Sequence, residues 1–135
     1  MSSQKFTLEV VTPDGVVFNR EVVSLRAQGY DGQFGVLANH APMLTGLQIG
    51  FIEAKDEQNR NYYLAMSGGF SEVLPHKTII LAETAEPQEK IDVERAKEAM
   101  ERAKKRLEER TPETDIARAQ LALARALNRL NVADF

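Results

Sequence analysis

The hydrophobic period of this chain changes once, near Glu83, and that change restricts the fold more than any other feature. Ahead of it apolar residues alternate with polar ones. Phe6, Leu8 and Val10 are separated by Thr7 and Glu9, the period-2 pattern of a half-buried strand. Thr12-Pro13-Asp14-Gly15 is a turn, because proline presets φ and glycine accepts a positive one. Val16 to Phe18 and Val22 to Ala27 continue as strands. Gly50 to Lys55 and Tyr62 to Met66 flank the polar connector from Asp56 to Asn61, and Phe70 to Leu74 and Thr78 to Ala82 flank Pro75-His76-Lys77. Both read as hairpins. Many short strands with little helix between them predict an antiparallel β-sandwich or flattened barrel. Ala85-Glu86-Pro87-Gln88-Glu89 reads as a polar linker, with a proline that disfavours helix just before it.

After the linker the period is helical. Val93, Ala96, Met100, Ala103 and Leu107 form one apolar seam, and Ile116, Ala119, Leu123, Ala126 and Leu130 repeat its spacing. Arg110-Thr111-Pro112-Glu113 is too short a break to send the chain far, so the helices are expected to fold back as an antiparallel hairpin. The fold class is therefore α+β, with a sandwich at 1–86 and a two-helix hairpin at 87–135. Asp92 is placed to cap the first helix or to sit in its first turn, where a carboxylate meets free N–H groups. The second seam is thin: its alanines favour helix strongly but bury little, so the helix is expected to be stable yet loosely held.

Each helix also carries a stripe of guanidinium groups. Arg95, Arg102 and Arg106 share one spacing, and Arg118, Arg125 and Arg129 repeat it. An antiparallel turn would bring Arg95 towards Arg129, Arg102 towards Arg125 and Arg106 towards Arg118. Taken alone, such stripes read as solvated faces whose stems cover apolar surface. The first helix suits that reading, since Glu94, Glu98 and Glu101 lie three or four residues before Lys97, Arg102 and Lys105. The second does not. From Ile116 to Asn131 it has three arginines and no acid, which calls for a polyphosphate or an acidic protein segment from outside.

A formal charge of −3 opposes nucleic acid as the main partner. With no cysteine the chain has no disulfide framework and no thiolate site. No apolar run approaches the roughly 20 residues that span a bilayer, and no signal-peptide pattern opens the chain. Gly29 to Met43 reads as a tightly shaped surface loop, in which Gly35 is expected to need a positive φ or close packing. It matches neither a dinucleotide fingerprint nor a P-loop. His40 and His76 lack metal-ligand spacing and read as structural or interfacial. No nucleophile–base arrangement stands out, so the chain is expected to be non-catalytic.

Five segments, in this order and at this spacing, carry a resemblance. They are Val10-Val11-Thr12-Pro13-Asp14-Gly15, Gly32-Gln33-Phe34-Gly35-Val36-Leu37, His40-Ala41-Pro42, Ser67-Gly68-Gly69-Phe70-Ser71-Glu72-Val73 and Ile91-Asp92-Val93-Glu94-Arg95-Ala96. Along essentially its whole length the chain resembles the epsilon subunits of bacterial F-type ATP synthases. That resemblance implies a rotor subunit whose sandwich rests on the gamma subunit and the c-ring, at the cytoplasmic face of the cell membrane. Membrane contact would be indirect, through the Fo rotor. It implies a mobile hairpin that, when extended, reaches the alpha and beta subunits and hinders ATP hydrolysis. In ATP-binding members the compact hairpin encloses the nucleotide. By position Ile91, Asp92, Arg95 and Ala96 match the family's nucleotide motif, and Glu86, Arg102, Arg125 and Arg129 match further nucleotide contacts.

Magnesium is allowed as a companion of the ATP, although no carboxylate cage is visible to hold it. Gln33 and His40 are carried over as residues facing the c-ring and gamma, and Arg118, Arg125 and Arg129 as contacts to the beta subunit. Two departures stand out: Gln33 replaces a common glutamate, and Ala38-Asn39 replaces a common Pro-Gly, which leaves that turn's geometry open. Two other readings stay beside the ATP-sensing one. One is the same subunit with a vestigial nucleotide site, and the other is a free-standing adaptor or nucleic-acid binder using the basic helix, which the acidic total charge opposes.

Overall fold

The alternation of the N-terminal half is realised as strands with one face in the core. In the computed structural model, which describes residues 4–135, β1 (Phe6–Thr12) buries Phe6, Leu8 and Val10 and leaves Thr7, Glu9 and Val11 half-covered. Seven strands follow: β2 (Gly15–Val22), β3 (Ser24–Gly29), β4 (Gly32–Leu37), β5 (Met43–Lys55), β6 (Asn61–Val73), β7 (Lys77–Ala82) and β8 (Ala85–Pro87). Their order across the sandwich is β2-β1-β7-β6-β5-β3-β4, with β8 beside β6. Neighbours run antiparallel except β1 and β7, which pair in parallel. No tight hairpin joins those two, so hairpin geometry does not dictate their direction.

The paired 13-residue strands β5 and β6 form the spine. The sequence reading divides β6 at Ser67-Gly68-Gly69, whereas the strand runs through. Gly68 and Gly69 take φ of 110° and 150°, which lets the backbone turn without ending the strand. A Cβ on Gly69 would stand 1.9 Å from the Leu81 carbonyl oxygen, so the approach of β7 to β6 requires glycine there.

The first three residues of the linker expected at Ala85–Glu89 are instead strand β8 of the sheet. Gly69 to Val73 of β6 pairs with β7, while Leu64 to Met66 pairs with β8 in the same register. Between them Glu83 N–H donates to Gly68 O (2.9 Å) and Ser67 N–H to Thr84 O (3.0 Å). A single 3-10 turn, Gln88–Lys90, then leads to the helices. Polarity misled the reading, because an edge strand with little to bury is polar as well.

The supposed loop from Gly29 to Met43 contains β4, which forms a hairpin with β3 and buries Val36 opposite Leu25. Gly35 needs no special freedom: it lies outside the left-handed region, and a Cβ would meet only the Leu25 carbonyl at 3.7 Å. The turn left open by the missing Pro-Gly is closed by Asn39. Its φ of 64° puts an asparagine in the conformation that glycine usually takes.

Helix α1 (Val93–Glu108) is capped by Asp92, whose carboxylate accepts from Arg95 N–H at 3.0 Å. Helix α2 (Ile116–Ala133) is capped in the same way by Asp115 through Arg118 N–H. The helices pack on one another through buried alanines, Ala96 and Ala103 on α1 and Ala119 and Ala126 on α2. The larger seam residues Met100, Leu107, Leu123 and Leu130 are only half-buried, and Val93 and Ile116 at the seam ends are exposed.

Candidate functional site

Helix α2 seats its C-terminal half on the sandwich through a few directed contacts. Asn128 Nδ2 donates to Gly50 O (2.8 Å) and Met66 O (3.3 Å), reaching carbonyls of both spine strands. Gln88 Nε2 donates to Val132 O (3.0 Å) and Phe135 O (2.9 Å), which ties the 3-10 turn to the end of the helix. The Phe135 ring meets Tyr63 and Phe51 edge-on, with centroids 5.1 and 5.6 Å apart. Val132 is fully buried beneath them.

This seat leaves a cavity of about 360 Å³ between β6, β8 and the hairpin. Its walls are Ala65, Met66, Ser67, Thr84, Ala85, Glu86, Arg95, Arg125, Asn128 and Arg129. The volume falls within the roughly 300–1,000 Å³ of small-molecule sites. One wall is the strand β6 with Ala65, Met66 and Ser67, and the other carries three guanidinium groups against one carboxylate. Such a cavity suits a polyanion with an apolar or planar part. Guanidinium forks bind phosphate oxygens bidentately, and the strand offers a surface for the remainder of the ligand.

Among the described residues Arg95 and Arg125 carry no ion pair. Arg129 does: its Nε and Nη2 reach the two carboxylate oxygens of Glu86, the second at 3.4 Å. The charge of α2, expected to be answered from outside, is thus answered in part by β8 of the same chain. The side chains are 26% and 30% exposed, so water screens the pair and limits it to about 1 kcal/mol or less.

The remaining sequence-predicted residues lie at various distances from this cavity. Asp92 and Ile91 sit at the entrance to α1, Asp92 as its cap and Ile91 closing the 3-10 turn through N–H to Gln88 O (3.2 Å). Ala96 is fully buried, so it supports the hairpin seam. Arg102, two turns beyond Arg95, lines a separate concavity near the hairpin tip with Lys105, Arg106, Glu109 and Thr114. The structure therefore groups Arg125 with Arg95 and Arg129 but leaves Arg102 apart. Arg118 is exposed in the first turn of α2. Gln33 is exposed beside the β3–β4 turn, and the half-buried His40 holds the Ala41 carbonyl through Nδ1 at 2.6 Å.

Sequence reasoning missed the strand wall of the cavity, since Ala65, Met66, Ser67 and Thr84 carry no signal of their own. It also missed an exposed apolar row. Val16, Val11, Leu81 and Phe70 stand in register across β2, β1, β7 and β6. Val16, Phe70 and Leu81 are exposed, as is Leu44 on β5. The outward positions of the alternation held the clue, because they are apolar where a solvated face would be polar. No helix among the described residues is long and apolar enough to cross a membrane, and none of their acidic or histidine groups cluster as a metal site.

Comparison with known proteins fits this architecture. Residues 5–88 match the model described as ATP synthase, Delta/Epsilon chain, beta-sandwich domain, and residues 89–134 match the long alpha-helix domain of the same family. The chain is 48% identical to the ATP synthase epsilon chain of Moorella thermoacetica, covering 93% of this chain and 94% of the relative. With that of Syntrophomonas wolfei it shares 43% identity over 99% and 98% of the two chains. A chain in the cryo-EM structure of the Euglena gracilis mitochondrial ATP synthase (OSCP/F1/c-ring) shares the fold, with a TM-score of 0.83 at 24% identity, covering 100% of this chain and 84% of that one. A chain of the Tetrahymena thermophila central stalk/c-ring structure aligns with a TM-score of 0.59 at 11% identity, over 99% and 97% of the chains. With both family models matched in order and near-full-length likeness to curated relatives, the chain belongs to the ATP synthase delta/epsilon family, among its epsilon chains.

Proposed function

We propose that the protein is a non-catalytic central-stalk subunit of an F-type ATP synthase, and that its helical hairpin is a regulatory element whose docked position is stabilised by ATP. The observation that carries the ATP part is the meeting of Arg95, Arg125 and Arg129 around one cavity whose opposite wall is the sandwich. A ligand held there touches α1, α2 and β8 together, so it favours the docked hairpin by its differential affinity for that state. At about 100 times its dissociation constant it would add roughly 2.7 kcal/mol to docking. Magnesium would enter on the phosphate oxygens, because the single carboxylate of the cavity is engaged by Arg129.

The partner side of the proposal rests on two surfaces. The apolar row through Val16, Leu81 and Phe70 suits a protein neighbour, and we assign it, with His40, to the gamma subunit. The β3–β4 turn bearing Gln33 is assigned to the c-ring. In this assembly the subunit works at the cytoplasmic face of the membrane without entering it. Arg102 and Arg118, exposed and outside the cavity, favour a second role for the stripes. In an extended hairpin they would meet acidic segments of the alpha and beta subunits and hinder hydrolysis, while the docked hairpin withholds them.

Calorimetry of the isolated chain tests the nucleotide part. Saturable ATP binding is expected, weakened about tenfold, or ~1.4 kcal/mol, by Arg95→Ala or Arg129→Ala with the sandwich still folded. No binding at millimolar ATP would leave the arginines with the partner contacts alone.

A further inference from the structure

The guanidinium cluster already holds an anion, and that anion belongs to the chain. Glu86 presents both carboxylate oxygens to the Nε and Nη2 of Arg129. The backbones that carry both residues are held, while the two side chains are part-exposed. Glu86 lies within β8, paired opposite Ala65 and followed by Pro87. Arg129 follows Asn128, which is bonded to the carbonyls of Gly50 and Met66. The other two cationic side chains of the cavity, Arg95 and Arg125, have no ion-pair partner among the described residues. The nearby hydroxyls of Ser67 and Thr84 are engaged with each other at 2.6 Å and do not take part.

We infer that Glu86 is a resident competitor for the phosphate site. It occupies the fork of Arg129, and a polyphosphate enters by displacing it. The inference rests on the reading that this cavity takes a triphosphate. A guanidinium edge engages one carboxylate or phosphate group at a time. The entering phosphate therefore gains only the difference between two charge-assisted pairs at Arg129, and it also meets the freed carboxylate as a like charge. Arg95 and Arg125 supply the unopposed attraction. This arrangement raises the apparent dissociation constant: the Glu86 pair holds the Arg129 fork at low ligand concentration, and a higher polyphosphate concentration is needed to exchange the anions. It also keeps Arg129 neutralised, and α2 tied to β8, while no ligand is present.

The test uses the full chain and inorganic tripolyphosphate, which has no nucleoside for Glu86 to contact. Titration calorimetry compares the unmodified protein, Glu86→Gln, Arg129→Ala and the double variant. Glu86→Gln keeps the shape of the side chain and removes its charge. It is expected to bind tripolyphosphate about tenfold more tightly than the unmodified chain, a difference of ~1.4 kcal/mol. Arg129→Ala is expected to bind more weakly, and adding Glu86→Gln to it should recover less than about threefold, because the contested fork is gone. Equal or weaker binding by Glu86→Gln, where the unmodified chain binds, overturns the competitor role and leaves the polyphosphate site standing. A full tenfold gain in the Arg129→Ala background also overturns it, since the effect would then be long-range charge. Failure of every variant to bind removes the site and the competitor together.

Discussion

Single side chains set how firmly the sandwich holds its shape. Ser71 and Thr78 are fully buried with hydroxyls that find no partner. Thr78→Val keeps the volume and removes the unpaired group, so it should stabilise the fold by about 1 kcal/mol, seen as a raised melting temperature. Gly69→Ala should do the opposite, by about 3 kcal/mol or more in denaturant unfolding. It combines a left-handed φ with a Cβ driven into the Leu81 carbonyl. Asp56 anchors the β5–β6 turn, accepting from Gln58 N–H (2.9 Å), Arg60 N–H (3.0 Å), Arg60 Nε (3.0 Å) and Tyr62 Oη (3.0 Å). Burial works against its charge, but the Arg60 backbone N–H, the Tyr62 hydroxyl and the Arg60 guanidinium outweigh it and hold its carboxyl below the usual 3.8. A lowered folded-state pKa gives stabilisation that is complete above the unfolded value and lost as pH falls through the folded one. The melting temperature should therefore fall more steeply below about pH 4 in the unmodified chain than in Asp56→Asn.

At the scale of elements, what the sequence made legible follows from how each pattern buries its residues. The two helices were readable because seven-residue repeats of Ala96 and Ala103, and of Ala119 and Ala126, fix one face of each. Their caps were half-readable: Asp92 was singled out, while Asp115, just past the break at Arg110–Glu113, plays the same part and was not. The strands β4 and β8 were not readable, since each buries too little to leave an alternating mark. Glu86 therefore entered the candidate site through resemblance alone, and its pairing with Arg129 became visible only once β8 placed it. The seat of α2 is local, so it can be loosened without harm to the sheet. Asn128→Ala and Phe135→Ala should each speed amide exchange in α2 by roughly tenfold, with the exchange of β5 and β6 unchanged. Equal acceleration in the strands would mean that helix and sandwich open as one unit.

For the whole molecule, the proposed function divides labour between a face that stays seated on the rotor and a hairpin that changes place. If the apolar row is the seated face, Phe70→Asp should abolish copurification with the gamma subunit while leaving ATP binding by the free chain within about threefold of normal. Loss of both would mean that the row supports the fold. The hairpin is the less anchored part, because its core is alanine and its contacts with the sheet are few, and on the proposed function a ligand of ordinary affinity decides where it lies. The measurement that bears most directly on this account is hydrogen exchange of α1 and α2 in the isolated protein, with and without saturating ATP. Slowing of exchange in both helices, lost in Arg129→Ala, is the expected result. Exchange in the helices that is the same with and without ATP would contradict it.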